Sequence, residues 1–172
     1  MKFRNSRPLK PSYWQTSVPN PTPCASLNGA HHADVAIIGG GFVGLWTALT
    51  IRAYEPDCRV AIVEQHLCGS GASGRNGGFA MSWWPKIGTI RAQCGDDEAR
   101  FLGQQSEKAI QDLGEFCAHY GVDAHFTQKG WLWTATSPAH VDTWDGTLAA
   151  CAALGAHPFE RLSGAEIGRA SC

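Results

Sequence analysis

No two cysteines in these 172 residues stand at the C-x-x-C spacing, so the paired ligands of common zinc sites are missing and no metal site is expected. The seven cysteines (Cys24, Cys58, Cys68, Cys94, Cys117, Cys151 and Cys172) are odd in number, which argues against a closed disulfide framework. Reduced thiols and a cytoplasmic location are the expectation. Charge is sparse as well: 17% of residues are charged and the net charge is -1. Nucleic-acid binding needs a clustered excess of Lys and Arg. The one local excess, Lys2, Arg4, Arg7 and Lys10, is scattered through a Pro-containing tail and reads as solvated. No apolar segment follows that basic start, so no secretory signal is expected. Long apolar runs are also lacking. The uncharged stretch Val35 to Ile51 approaches the lower limit of a membrane span. It holds Gly39, Gly40, Gly41 and Gly44 and is bounded by Asp34 and Arg52. A buried strand, a turn and a helix explain it better than a membrane span.

What is present is a globular composition, 44% hydrophobic with 20 glycines, in a length that suits one ordinary domain. Residues 1–32 read as an irregular lead-in, punctuated by Pro8, Pro11, Pro19, Pro21 and Pro23. Asp34 to Gly39 reads as a short, fully buried strand of the parallel-sheet kind. Phe42 to about Tyr54 follows as a helix, with Ala48 and Leu49 inside and Glu55, Pro56 and Asp57 ending it. Arg59 to Glu64 is a second buried strand, completing one βαβ unit. Residues 65–95 are Gly-rich and read as loop. A helix is expected from about Asp96 to Tyr120, with Leu102, Ala109, Ile110, Leu113, Phe116, Cys117 and Tyr120 on one face and Gly121 as its cap. Short strands are expected at 124–127 and 131–135. Ser137 and Pro138 should open another helix, striped by Val141, Trp144 and Leu148 and ended by Gly155. Ser163 and Glu166 have capping-box spacing, which announces a final helix, and the sequence stops six residues after Glu166.

Gly39-x-Gly41-x-x-Gly44 has the spacing of the dinucleotide fingerprint, a weak signal alone. Here it follows a predicted strand, opens a predicted helix, and has Glu64 at the end of the next strand. Gly39 permits the tight turn, Gly41 lets backbone approach a pyrophosphate, and Gly44 lets helix pack on sheet. The helix N-terminus offers its amides and partial positive charge to phosphate. Glu64 can accept from a ribose diol, and its carboxylate repels a 2′-phosphate, which disfavours NADP. A second Gly-rich loop runs from Gly69 to Ala80, with Ser73, Arg75 and Asn76 in it. Its backbone amides, and Arg75 as a cation, could serve phosphates. An FAD site has use for such a loop and an NAD site does not, but a flexible surface loop has the same composition.

These segments together, Ala33 to Ala48, Val63 with Glu64, and Gly71 to Gly78, resemble the FAD-dependent oxidoreductases of the D-amino-acid-oxidase type. Within them the chain looks most like the bacterial gamma-glutamylputrescine oxidase group. Ser12-Tyr13-Trp14 and Gly130-Trp131-Leu132 fit that group too. The resemblance implies an α/β fold: a Rossmann-type FAD-binding segment over 33–95, then the beginning of a mixed α+β substrate domain over 96–172, apparently truncated. It implies FAD, an amine or amino-acid substrate oxidised by hydride transfer to flavin, and oxygen or another electron acceptor. Some relatives tether flavin through a His in the loop matching Gly71 to Gly78, where this chain has Arg75. The candidate cofactor-binding residues are Gly39, Gly40, Gly41, Phe42, Val43, Gly44, Glu64, Gln65, Ser73, Arg75, Asn76, Gly77 and Gly78. The resemblance places the flavin cover and most substrate contacts in segments beyond this length, so no catalytic residue is assigned and the chain alone is expected to be inactive. An NAD-binding dehydrogenase domain and a noncatalytic dinucleotide-binding module are the alternatives.

Overall fold

The computed structural model describes residues 10–17 and 24–170. Lys2, Arg4, Arg7, Pro8, Pro19, Pro21, Pro23 and Cys172, on which expectations were stated, lie outside the described residues. The chain forms two compact units that divide between Phe79 and Ala80. This division falls earlier than the one read at residue 95.

The first unit contains helix α1 (Tyr13–Ser17), strand β1 (Val35–Ile38), helix α2 (Phe42–Tyr54) and strand β2 (Val60–Val63). The lead-in is therefore not wholly irregular. Helix α1 begins with a reciprocal cap: Ser12 N–H donates to Gln15 Oε1 at 2.9 Å, and Gln15 N–H donates to Ser12 Oγ at 3.3 Å. Strands β1 and β2 pair in parallel, with Val35 opposite Val60 and Ile38 opposite Val63. The start of the pair is clamped by Asp34, whose carboxylate accepts from the Arg59 backbone N–H (2.9 Å), Nε (3.0 Å) and Nη2 (2.8 Å). The guanidinium, then the backbone N–H, hold the Asp34 pKa down at about 2. Both groups face solvent, so this pair sets register more than it adds stability.

The two strands were expected to be fully buried, and they are not. Helix α2 lies against the side that carries Ile37, close to Gly44. Side chains alternate along a strand, so Ala36 and Ile38 point the other way, and Ile38 is 91% exposed. A parallel sheet becomes buried on both faces only when helices cover both, and α2 is the helix that packs on this one.

The second unit is helical among its described residues, not mixed α+β. It contains α3 (Ile87–Cys94), α4 (Asp96–Tyr120), α5 (Asp145–Ala153) and α6 (Gly164–Ala170). Helix α3 and a 3₁₀ turn at Trp84–Lys86 lie in the stretch read as loop. Their apolar side chains, Trp84 and Ile87, form the core with Ala99, Cys151 and Leu154. The Trp84 ring lies so close to α4 that a Cβ on Gly103 would meet it at 2.7 Å. Helix α4 has the expected limits. Asp96, Asp97 and Glu98 in its first turn complement the helix dipole, and Gly121, at φ +62°, closes it while Val122 N–H donates to Cys117 O at 2.8 Å. Its buried stripe runs through Ala99, Gly103 and Cys117, while Ala109 and Tyr120 are exposed. The small residues Ala99 and Gly103 carry the contact because they admit the bulky indole, which a search for large apolar residues overlooks.

No strand forms at 124–127 or 131–135. Positive φ at His125 (+49°) and Gly130 (+78°) interrupts an extended run, and Phe126 packs on α4 at Gly114 in place of pairing. Ser137 and Pro138 open a single 3₁₀ turn, Pro138–His140. The helix itself waits until Asp145, because Asp142 adopts φ +62°. Val141, expected in its buried stripe, is exposed. Gly155, at φ +67°, ends the helical segment as expected. At Ser163 the Glu166 carboxylate accepts from both the backbone N–H and the hydroxyl at 2.7 Å, so the capping residues start α6.

Candidate functional site

The turn between β1 and α2 is built from three glycines with different reasons. Gly39 continues the ladder, donating to Val63 O at 2.8 Å, and then turns at φ +105°, where a side chain is strained. Gly44 brings α2 onto that turn, since a Cβ there would stand 2.0 Å from Gly39 O. Gly41 caps α2 without a side chain, and a Cβ on it would meet Ser73 Oγ at 2.9 Å.

That serine comes from the second Gly-rich loop. Its hydroxyl accepts from Phe42 N–H at 2.9 Å, so the cap of α2 is supplied from 31 residues away. Gly69 N–H donates to Gly40 O at 2.8 Å, and Cys68 Sγ lies where a Cβ on Gly40 would intrude. The two Gly-rich loops are thus one structure. The loose surface loop that composition alone allowed is not what forms.

Glu64, at the end of β2, closes the other side. One carboxylate oxygen accepts from Gly40 N–H at 2.8 Å and the other from His66 N–H at 3.0 Å. These backbone donors, Gly40 first, hold its pKa below the usual carboxylate value. A carboxylate has about four acceptor positions, so a half-buried Glu64 retains capacity for a diol. Gln65 follows it, exposed. Phe42 and Val43, in the first turn of α2, are exposed at 56% and 83%, which leaves the backbone of that turn approachable.

Arg75 is turned toward backbone. Its Nε donates to Ser70 O at 3.0 Å and its Nη2 to Lys10 O. Asn76 forms a local turn, donating to Ser73 O at 2.6 Å and accepting from Gly78 N–H at 2.8 Å. Gly77 is exposed and Gly78 takes φ +83°.

A family model described as FAD dependent oxidoreductase matches residues 34–171, taking in both Gly-rich loops and Glu64. The chain belongs to the DAO family of FAD-dependent oxidoreductases. Its cofactor is FAD, which sets aside the NAD-binding alternative. Among curated members, gamma-glutamylputrescine oxidoreductase of Escherichia coli (strain K12) is 32% identical over 120 residues, which are 69% of this chain and 28% of that protein. A probable oxidoreductase OrdL of Haemophilus influenzae is 33% identical over 117 residues, 67% of this chain and 26% of that protein. The OrdL of Rhizobium meliloti is 31% identical over 115 residues, 66% and 25% respectively. The chain therefore spans about a quarter of the length of these DAO relatives. No solved structure matches it significantly. Among the described residues no helix is long and apolar enough to cross a membrane.

Cys68, Gly69 and Lys10, which were not among the candidate site residues, meet the fingerprint and the loop only through the fold. Gly74 carried a signal within the motif: its Cβ would stand 2.1 Å from Gly69 O, so the loop closes on itself there.

Glu64→Ala is expected to weaken FAD binding by about 1.5–3 kcal/mol, the worth of a hydrogen bond to a charged acceptor. Titration of the cofactor-free protein measures it, and equal affinities would reduce Glu64 to a brace for Gly40. Because its folded pKa is lowered, the stabilisation from ionised Glu64 is present above its ordinary value of 4.5 and is lost as pH falls below it.

Proposed function

We propose that the protein oxidises the C–N bond of an amine or amino acid, with a gamma-glutamylputrescine-like amine as the first substrate to try and oxygen or another acceptor taking the electrons. In this reading the first unit holds FAD and the second begins the substrate domain. The observation that carries the cofactor part is the Ser73 hydroxyl at the N-terminus of α2, which joins the second Gly-rich loop to the fingerprint. The residues fit a dinucleotide in chemistry as well as spacing. Gly39 to Gly44 and the α2 amides, with Ser73, bind the pyrophosphate. Glu64, followed by Gln65, orients the ribose and repels a 2′-phosphate. Arg75, Asn76, Gly77 and Gly78 shape the loop toward the flavin. FAD supplies the hydride acceptor when bound; the protein supplies orientation and electrostatics. The substrate class is supported by the name of the Escherichia coli relative. A cytoplasmic location is supported by the six described cysteines, all free.

The test is anaerobic addition of amines, amino acids and 2-hydroxy acids to the purified flavoprotein. Bleaching of the flavin absorbance by an amine or amino acid is expected. Bleaching by hydroxy acids alone would replace the proposed substrate class.

A further inference from the structure

Helix α1 has only five residues and buries none of them, too little to stand by itself. Its Trp14 meets the Gly-rich loop of the cofactor site. Trp14 Nε1 donates to Asn76 O at 2.9 Å across 62 residues. The same indole lies against Gly78, where a Cβ would stand 2.8 Å from the ring. Just before the helix, Lys10 O accepts from Arg75 Nη2. Residues 10–14 thus hold Arg75, Asn76 and Gly78, each through a different atom. Tyr13 packs edge-on against Trp14, with ring centroids 5.2 Å apart, and the reciprocal Ser12–Gln15 cap sets the turn that presents the indole.

We propose that Trp14 is a positioning residue for FAD: the segment from Lys10 to Trp14 straps down the loop 75–78 so that the flavin-side part of the cofactor site is formed before the cofactor arrives. The loop is exposed and rich in glycine, so ordering it on binding costs conformational entropy at each residue. A strap that orders it in advance removes that cost from the binding step. The hydrogen bonds of the strap reach Arg75 and Asn76, whereas those of Glu64 reach Gly40 and His66. The strap meets the fingerprint through Ser73, which accepts from Asn76 and from Phe42 N–H, so the adenosine side of the site depends on it less than the flavin side does.

This inference rests on the FAD-binding reading, and the experiment separates the two. Trp14→Phe keeps an aromatic ring over Gly78 and removes the N–H donor; Trp14→Ala removes both. FAD and ADP are titrated into cofactor-free wild type and both variants. Trp14→Ala should weaken FAD about tenfold or more and leave ADP within about twofold, with Trp14→Phe intermediate for FAD. Hydrogen exchange at the Gly78 amide, held by Asn76 Oδ1, should be faster in both variants. Equal loss of FAD and ADP affinity would make Trp14 a general support of the unit, and unchanged FAD affinity would remove the strap; either overturns the inference. Wild type that binds neither ligand would overturn the cofactor reading and the strap with it.

Discussion

Gly44→Ala is expected to destabilise the first unit, although an alanine inside a helix ordinarily gains about 1 kcal/mol over glycine. The helical gain is outweighed by contact: the new Cβ would stand 2.0 Å from the carbonyl oxygen of Gly39 and 3.2 Å from Ile37 Cγ2. Backbone oxygen has no rotamer with which to withdraw. Either α2 moves off β1 or the turn at Gly39 opens, and overpacking of this kind costs about 1–3 kcal/mol or more. In a unit of this size each kcal/mol lowers the melting midpoint by about 4–8 °C. Thermal unfolding followed by circular dichroism gives the result directly. A variant as stable as wild type would mean that α2 does not approach the turn so closely.

Gly41→Val should leave the fold largely in place and remove FAD. The atom facing its Cβ is the Ser73 hydroxyl at 2.9 Å, on a side chain that can rotate aside, so the structural cost is smaller than at Gly44. The branched side chain would then stand at the mouth of the α2 N-terminus, where the backbone must come close to pyrophosphate. A loss of about 2.7 kcal/mol, a hundredfold in affinity, is the expected size. Flavin content per mole of purified protein and a titration of the cofactor-free form report it. The two glycine variants differ in emphasis: one loses mainly stability, the other mainly cofactor, with the Ser73 cap on α2 as its smaller structural cost. Full flavin content in Gly41→Val would take the fingerprint out of the functional argument.

Three of the seven described histidines illustrate why no catalytic base is assigned. His31 bonds the carbonyl of Asn28 at 2.8 Å, His125 faces Asp123 at 3.2 Å, and His140 meets the Thr136 hydroxyl at 3.1 Å. These are local contacts at the surface of each unit.

The sequence by itself determined the βαβ unit, the places of Gly39, Gly41, Gly44 and Glu64 within it, helix α4 with its Gly121 cap, and the start of α6 at Ser163. Within each helix, cap and turn these depend on hydrogen bonds or periodicities that span a few residues, which spacing records, and the fixed spacing of the fingerprint to Glu64 carries the pairing of β1 with β2 across 25 residues. The tertiary structure decided the rest. Ser73 reaches Phe42 across 31 residues and Trp14 reaches Asn76 across 62, and no local pattern encodes which distant carbonyl or amide a side chain will meet. It also decided that Arg75 turns to the carbonyls of Ser70 and Lys10, and that Phe126 packs on Gly114 where a strand was expected. A strand needs a neighbour to complete its hydrogen bonds, and a local propensity cannot supply one.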